Sequence, residues 1–358
     1  MKTLKALKIA FIVAFGFGSF ATAQTTTVLH AFSGQDFRSL PYGGLISSGG
    51  VFYGTTSGGG TENSGTVFKI NPDGTGKSTL HNFAAYSSSK PTNTDGAKPY
   101  ASLIISGSTL YGTTSAGGSS GNGTVFKVNT DGSGFAVLYT FTGGADGATP
   151  VSSLVLSGST LYGTASQGGS GYGTVFKVNT NGTGFAVLYA FTDGSDGSYP
   201  MGGLVLSGST LYGTSDGDSG TPGNVFKINT NGALTTLYSF TGLNDGGDPN
   251  GLIVGSDGSF YGTTQDGSEG GAPTGTVFML TIAPDPELTI VPSEANVVLS
   301  WPTNYGAFSY AGYTLQTTTN LDSSAVWTPV SSSPVIIGGQ NKVVNPLSGT
   351  QRFFRLSQ

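Results

Sequence analysis

The chain alternates short apolar runs with glycine- and serine-rich breaks, and the alternation itself recurs. Within residues 150–199, Leu154-Val155-Leu156 leads through a Ser-Gly turn to Leu161-Tyr162-Gly163-Thr164. A Gly/Ser-rich break follows, then Val175-Phe176-Lys177, an Asn-Thr-Asn-Gly turn, and Leu188-Tyr189-Ala190-Phe191. Short runs of β-branched and aromatic residues bounded by Gly, Asn and Asp predict four strands per repeat, and no segment carries a helical period. In the fourth strand of the preceding repeat, over 135–141, Phe135, Val137, Tyr139 and Phe141 face one way while Ala136 and Leu138 face the other. Both faces are apolar, which predicts sheets packed against further sheets and not one sheet with a wet side.

Repeats begin at Pro41, Pro99, Pro150, Pro200 and Pro249, with spacings of 58, 51, 50 and 49 residues. A four-stranded antiparallel sheet every fifty residues or so is the unit of a β-propeller. The fifth repeat passes through 259–264 and 275–280 and then stops without its fourth strand, whereas a spare copy, "TVLHAF", opens the chain at 27–32. Pairing Val28 to Phe32 with the fifth sheet predicts an all-β, five-bladed propeller over residues 24–282, closed by an N-terminal strand and free of open edges.

The repeated pattern "LYGTT…G…GTVFKVN.DG", spread over roughly residues 28 to 282, resembles the GloVer tandem-repeat family of secreted bacterial proteins. That resemblance implies export and a place at the cell surface, and it brings no activity with it.

Two segments stand outside the repeat. Residues 1–23 carry Lys2, Lys5 and Lys8 ahead of an apolar run too short to span a bilayer, then Ala21-Thr22-Ala23, the pattern of a secretory signal cut before Gln24. After a Pro-containing linker at 283–286, residues 287–358 predict about seven short strands. "VVLSWP", "GYTLQ" and "RFFRL" resemble fibronectin type III-like modules, which makes Trp301 and Trp327 core aromatics of a small β-sandwich.

Composition narrows the partners. Without the three leader lysines the chain has 11 basic against 19 acidic residues, a net charge of about −8. Such a balance argues against nucleic acid and anionic membrane as partners. No later segment reads as a membrane span, so a secreted, extracellular or surface-held protein with no membrane insertion is expected. There is no cysteine and there are two histidines, too few for a zinc site of ordinary ligand spacing. His30 and His81 fill the slot held by Tyr139, Tyr189 and Tyr238 in sister repeats, a structural place for a ring with a polar tip.

The candidate chemistry lies in carboxylates. Asp95, Asp146, Asp196 and Asp245 each precede Gly and stand four residues before the next repeat's Pro, with Asp36 a looser fifth. In a propeller that connection shares a rim with the Gly/Ser-rich loops at 57–65, 115–123, 166–173, 215–224 and 265–275. Glu62, Asp216, Asp218, Asp266 and Glu269 break the symmetry there. Asp-Gly can simply form the turn; alternatively the ring of carboxylates binds Ca²⁺ or polyhydroxylated glycan. The repeated Lys69, Lys127, Lys177 and Lys227, with Met279 in the fifth slot, read as stems laid over apolar neighbours. The expected function is a non-catalytic scaffold for carbohydrate or protein. The alternative is a glycosidase or lyase, which needs two differently tuned carboxylates across a pocket.

Overall fold

The computed structural model describes residues 26–32, 39–87, 89, 91–217, 222–266, 275–282, 286–305, 308–310, 312–321, 325–346 and 351–357. It is all-β, with no helix among these residues. The first repeat forms β1 (Ile46–Ser48), β2 (Val51–Thr56), β3 (Thr66–Ile70) and β4 (Ser78–Asn82), hydrogen-bonded in that order. The second forms β5 (Ile104–Ser106), β6 (Thr109–Thr114), β7 (Thr124–Asn129) and β8 (Ala136–Thr140). The third forms β9 (Val155–Ser157), β10 (Thr160–Ala165), β11 (Thr174–Asn179) and β12 (Ala186–Ala190), and the fourth β13 (Val205–Ser207), β14 (Thr210–Ser215), β15 (Asn224–Asn229) and β16 (Leu234–Ser239). Among the described residues the fifth sheet has three strands, β17 (Gly247–Val254), β18 (Phe260–Asp266) and β19 (Val277–Leu280).

Two features of the repeated sequence set this geometry. A Cβ on the glycine of each Tyr-Gly-Thr (Gly54, Gly112, Gly163, Gly213, Gly262) would lie 2.5–2.8 Å from the Phe ring on the paired third strand, so only glycine lets that ring lie across the backbone. The third and fourth strands then slip register at the same place in each complete sheet, between Val67/Phe68, Val125/Phe126, Val175/Phe176 and Val225/Phe226. A bulge of this kind bends and twists the sheet.

The core forms in layers between successive sheets. Tyr111, Val125, Leu138 and Phe141 of the second repeat pack on Leu154, Leu161, Phe176 and Val178 of the third, and equivalent residues join the first to the second and the third to the fourth. Each layer has a polar tie as well: the hydroxyls of Thr55, Thr113 and Thr164 donate to the carbonyls of Ala101, Ser152 and Gly202 in the next repeat. The equivalent Thr214 hydroxyl, at the junction with the fifth sheet, is buried and makes no hydrogen bond among the described residues.

The expected closure is not what the structure shows. Residues 26–32 are not a strand and lie against the first sheet, where the Phe32 ring meets Phe68 edge-on at 5.6 Å. The edge of β19 that they were expected to cover has no strand beside it among the described residues, and Val277 is 80% exposed. A strand exists only where a neighbour takes its backbone groups; with β19 not beside it, this segment keeps its side-chain packing and loses its ladder.

After the repeats, β20 (Thr289–Ser293), β21 (Asn296–Pro302), β22 (Asn304–Tyr305), β23 (Phe308–Ser309), β24 (Thr314–Thr318), β25 (Thr328–Pro329), β26 (Val335–Ile337), β27 (Gln340–Pro346) and β28 (Phe353–Ser357) form two antiparallel sheets and a hairpin. Leu299, Trp301 and Val343 of one sheet share a core with Leu315 and Leu356 of the other. Trp301 is buried as expected, but Trp327 is half-exposed, with the Arg355 guanidinium 4.4 Å above its ring.

Candidate functional site: the loop-bearing edge

The connection leaving each fourth strand is bonded to the loop between the second and third strands of the next repeat. Ala97 bridges Ala116, Ala148 bridges Gln167 and Ser198 bridges Asp216. The sequence expectation of one shared edge for the Asp-Gly turns and the Gly/Ser-rich loops therefore matches the strand topology.

The four recurrent aspartates are built into that edge by one local design. The Asp146 carboxylate accepts from the Tyr139 hydroxyl (2.9 Å), the Thr142 amide (2.8 Å) and the Thr142 hydroxyl (2.5 Å). Asp196 accepts from the Tyr189 hydroxyl at 3.0 Å, the Thr192 amide at 2.9 Å, the Thr192 hydroxyl at 2.7 Å and the Gly194 amide at 3.0 Å. Asp245 repeats the set with Tyr238 and Thr241. Asp95 sits on a longer connection and accepts instead from the Ala84 amide at 3.0 Å, with His81 Nε2 at 2.8 Å. His81 thus stands in for tyrosine, its ring stacked on Phe135 at 3.5 Å just as Tyr139 stacks on Phe185 at 3.4 Å.

The same residues tie consecutive repeats together. The carbonyls of Asp95, Asp146 and Asp245 accept from Thr124, Thr174 and Thr276 at the head of the next third strand, and that of Asp196 accepts from Ser215. Burial by itself would push the Asp146, Asp196 and Asp245 carboxyls up, but the hydroxyl and amide donors outweigh it and hold them below the usual carboxylate range. Burial and the adjoining Asp196 carboxylate raise the Tyr189 hydroxyl to about 12. Asp146, Asp196 and Asp245 are turn organisers, charged at neutral pH.

The irregular acids differ. Glu62 is exposed in the first loop. Asp218 and Glu269, with Asp36, lie outside the described residues. Asp216 and Asp266 come together around a third acid that the sequence had not singled out, Asp248. Burial and the Asp248 charge push the Asp216 carboxyl up to about 7. Asp248 is itself raised, by burial first and then by Asp266, with the Gly217 amide at 3.4 Å opposing. Its backbone is left-handed (φ 50°), as at the equivalent Lys98, Thr149 and Tyr199. Aspartate tolerates that conformation. The available signal was a departure: no other repeat puts an acid directly before its Pro. Among the described residues no group of three or more His, Asp or Glu side chains could hold a metal ion.

Several solved structures share features of this architecture. A chain of the nidogen/laminin complex is 15% identical, with a TM-score of 0.43 over 64% of this chain and 73% of that one. A polysaccharide lyase, the PL25 ulvan lyase bound to a GlcA-Rha3S saccharide, is 12% identical, with a TM-score of 0.43 over 74% and 81%. A putative 6-phosphogluconolactonase from Bacteroides uniformis is 15% identical, with a TM-score of 0.41 over 87% of both chains. Likeness at this level bears on neither activity nor ligand. No curated protein matches the sequence. The profile of the Gloeobacter/Verrucomicrobia repeat matches residues 17–221, more than half of the chain, spanning its first three sheets and the first two strands of the fourth. The chain therefore belongs to the Gloeobacter/Verrucomicrobia repeat family.

Proposed function

We propose that the chain is an exported, non-catalytic scaffold whose sheets pack in series as propeller blades do, without closing a ring, and whose loop-bearing edge binds an extracellular glycan or protein. One observation supports this reading: Asp146, Asp196 and Asp245 are each held by donors of their own turns and lowered alike, so the edge offers several equivalent positions. Equivalent sites side by side suit a polymeric or repeated ligand, because linked weak contacts gain from high effective concentration. The module from 287 onward serves as spacer or attachment, and Ca²⁺ is an optional participant at the edge.

A glycan array probed with the full chain lacking residues 1–23, with and without a chelator, tests this. Binding to an extended polymer that weakens steeply as the polymer is shortened supports it; a chelator-sensitive signal adds the metal. Cleavage of a bound glycan refutes the non-catalytic reading. The second reading, a glycosidase or lyase, has one observation in its favour: Asp216 with its raised carboxyl beside Asp248 is an unsymmetric acid pair of the kind general acid catalysis uses. On that reading Asp216→Asn abolishes turnover and leaves binding in place.

A further inference from the structure

The strand missing from the fifth sheet exists at the start of the chain, already packed as though it belonged to a preceding repeat. Residues 27–32 (Thr-Val-Leu-His-Ala-Phe) align with 186–191 (Ala-Val-Leu-Tyr-Ala-Phe). Phe32 meets Phe68 edge-on at 5.6 Å, as Phe83 meets Phe126 at 5.3 Å and Phe141 meets Phe176 at 5.1 Å. Gly74 lies against the Leu29 carbonyl just as Gly132 and Gly182 lie against the carbonyls of Leu80 and Leu138. Phe32 precedes Pro41 by nine residues, the same interval as Phe141 to Pro150, Phe191 to Pro200 and Phe240 to Pro249. The segment is thus a fourth strand waiting for a third.

At the far end β19 is a third strand waiting for a fourth. Val277 is 80% exposed where its counterparts Val125 and Val175 are fully buried, and a cavity of about 220 Å³ lined by Tyr238, Phe240 and residues 276–280 marks the empty slot. Ile253 is 68% exposed at one end, and Leu45, whose counterparts Leu103 and Leu154 are buried, is 51% exposed at the other. These are the two halves of one repeat-to-repeat layer. Apolar surface of this kind, contiguous and on a sheet with a free edge, marks an interaction site.

We propose that the fifth sheet of one molecule receives residues 27–32 and the first sheet of a second copy, head to tail. The second copy is the occupant because within one chain the segment stays on its own first sheet while both end faces remain open. The register follows from the third repeat, where Thr174, Val175, Phe176 and Lys177 face Ala190, Tyr189, Val187 and Ala186. Thr276 faces Ala31, Val277 faces His30, Phe278 faces Val28 and Met279 faces Thr27, with the bulge between Val277 and Phe278. The Thr263 hydroxyl meets the partner's Gly43 carbonyl, as Thr113 meets Ser152. The contact is heterologous, so it does not end at two copies.

The test uses the full chain lacking residues 1–23, which has no cysteine of its own. Thr27→Cys and Met279→Cys variants, mixed and oxidised, give a disulfide-linked dimer joined through 27 and 279, identified by mass spectrometry; the double variant gives a ladder. Val277→Lys, at a position exposed in the single chain, moves the association midpoint in sedimentation at least about tenfold upward in concentration, the equivalent of ~1.4 kcal/mol, with an unchanged circular dichroism melt. A double variant that links only within one chain at every concentration, forming a closed ring, overturns the proposal. So does a monomer that forms no 27–279 bond.

Discussion

Asp196 and Asp216 lie twenty residues apart on the same edge of the array, in the fourth repeat's leading connection and the loop it pairs with. One is held below the ordinary carboxylate range and the other is pushed up to about 7. Burial acts on both in the same direction. The difference is that Asp196 has the Tyr189 and Thr192 hydroxyls and the Thr192 and Gly194 amides around it, whereas Asp216 faces Asp248 and, among the described residues, no donor. Position on the edge does not decide what an acid does; the donors supplied by its turn do.

The largest expected break of this comparison is Asp196→Ala. It leaves four donors without their acceptor in a half-buried turn and lowers stability by ~2–4 kcal/mol, since each abandoned donor costs on the order of a kcal/mol when water reaches it incompletely. Asp216→Ala abandons no donor among the described residues and removes a disfavoured charge, so at neutral pH it is no less stable than the parent. Urea midpoints of the two variants at neutral pH separate them. Equal losses would mean that the turn donors around Asp196 contribute little.

The next effect is one of pH. Asp216 holds its proton in the folded chain up to about pH 7, whereas in the unfolded chain it releases it near 4. Between those values the unfolded state binds fewer protons, so this group's contribution falls as pH rises and is flat above 7. Asp146, Asp196 and Asp245 act oppositely: their lowered carboxyls contribute above the unfolded value and are lost in acid. Asp216→Asn therefore removes the decline between about pH 4 and 7 and keeps the acid limb. Urea midpoints across that range check it, and an unchanged slope in the variant refutes the assignment. A smaller shift follows from Asp248→Asn, which takes away the neighbouring charge and moves the Asp216 titration downward, read from its carboxyl carbon by NMR. No movement would leave burial as the whole cause.

Much of this was legible in the residues. Proline spacing and the Tyr-Gly-Thr and Val-Phe-Lys runs placed the strands and their order, because each sheet repeats the same side-chain requirements. The shared edge followed from topology. The tyrosine slot filled by His81 was legible too, and Asp95 now explains it: both rings present a polar tip to the carboxylate. The Asp216–Asp248 pair was only half legible, since Asp248 belongs to the fifth repeat's entry and meets Asp216 through the pairing of a connection with a loop. The state of Val28 to Phe32 was the hardest to read. Its sequence says what it packs against and says nothing of which sheet is present to pair with it. The composition that buries Val175 fully leaves Val277 exposed for the same reason.

The finest test compares the tyrosines that reach these aspartates. Tyr189 is half-buried and its hydroxyl donates to Asp196 at 3.0 Å, while Tyr238 is exposed and donates to Asp245 at 2.9 Å. The lengths are nearly equal, so any difference in worth comes from water. Tyr189→Phe removes one donor to a charged acceptor in a partly dry site and lowers stability by ~1 kcal/mol; Tyr238→Phe, where water takes the vacated place, costs less than about 0.5 kcal/mol. Tyr238 sits at the open slot beside β19, so covering that slot should raise its cost toward that of Tyr189. Denaturation of both variants under dilute and concentrated conditions reads this directly. A Tyr238→Phe loss that stays small when the slot is covered would show that access of water to the hydroxyl is not what sets the strength of the tyrosine–aspartate bond.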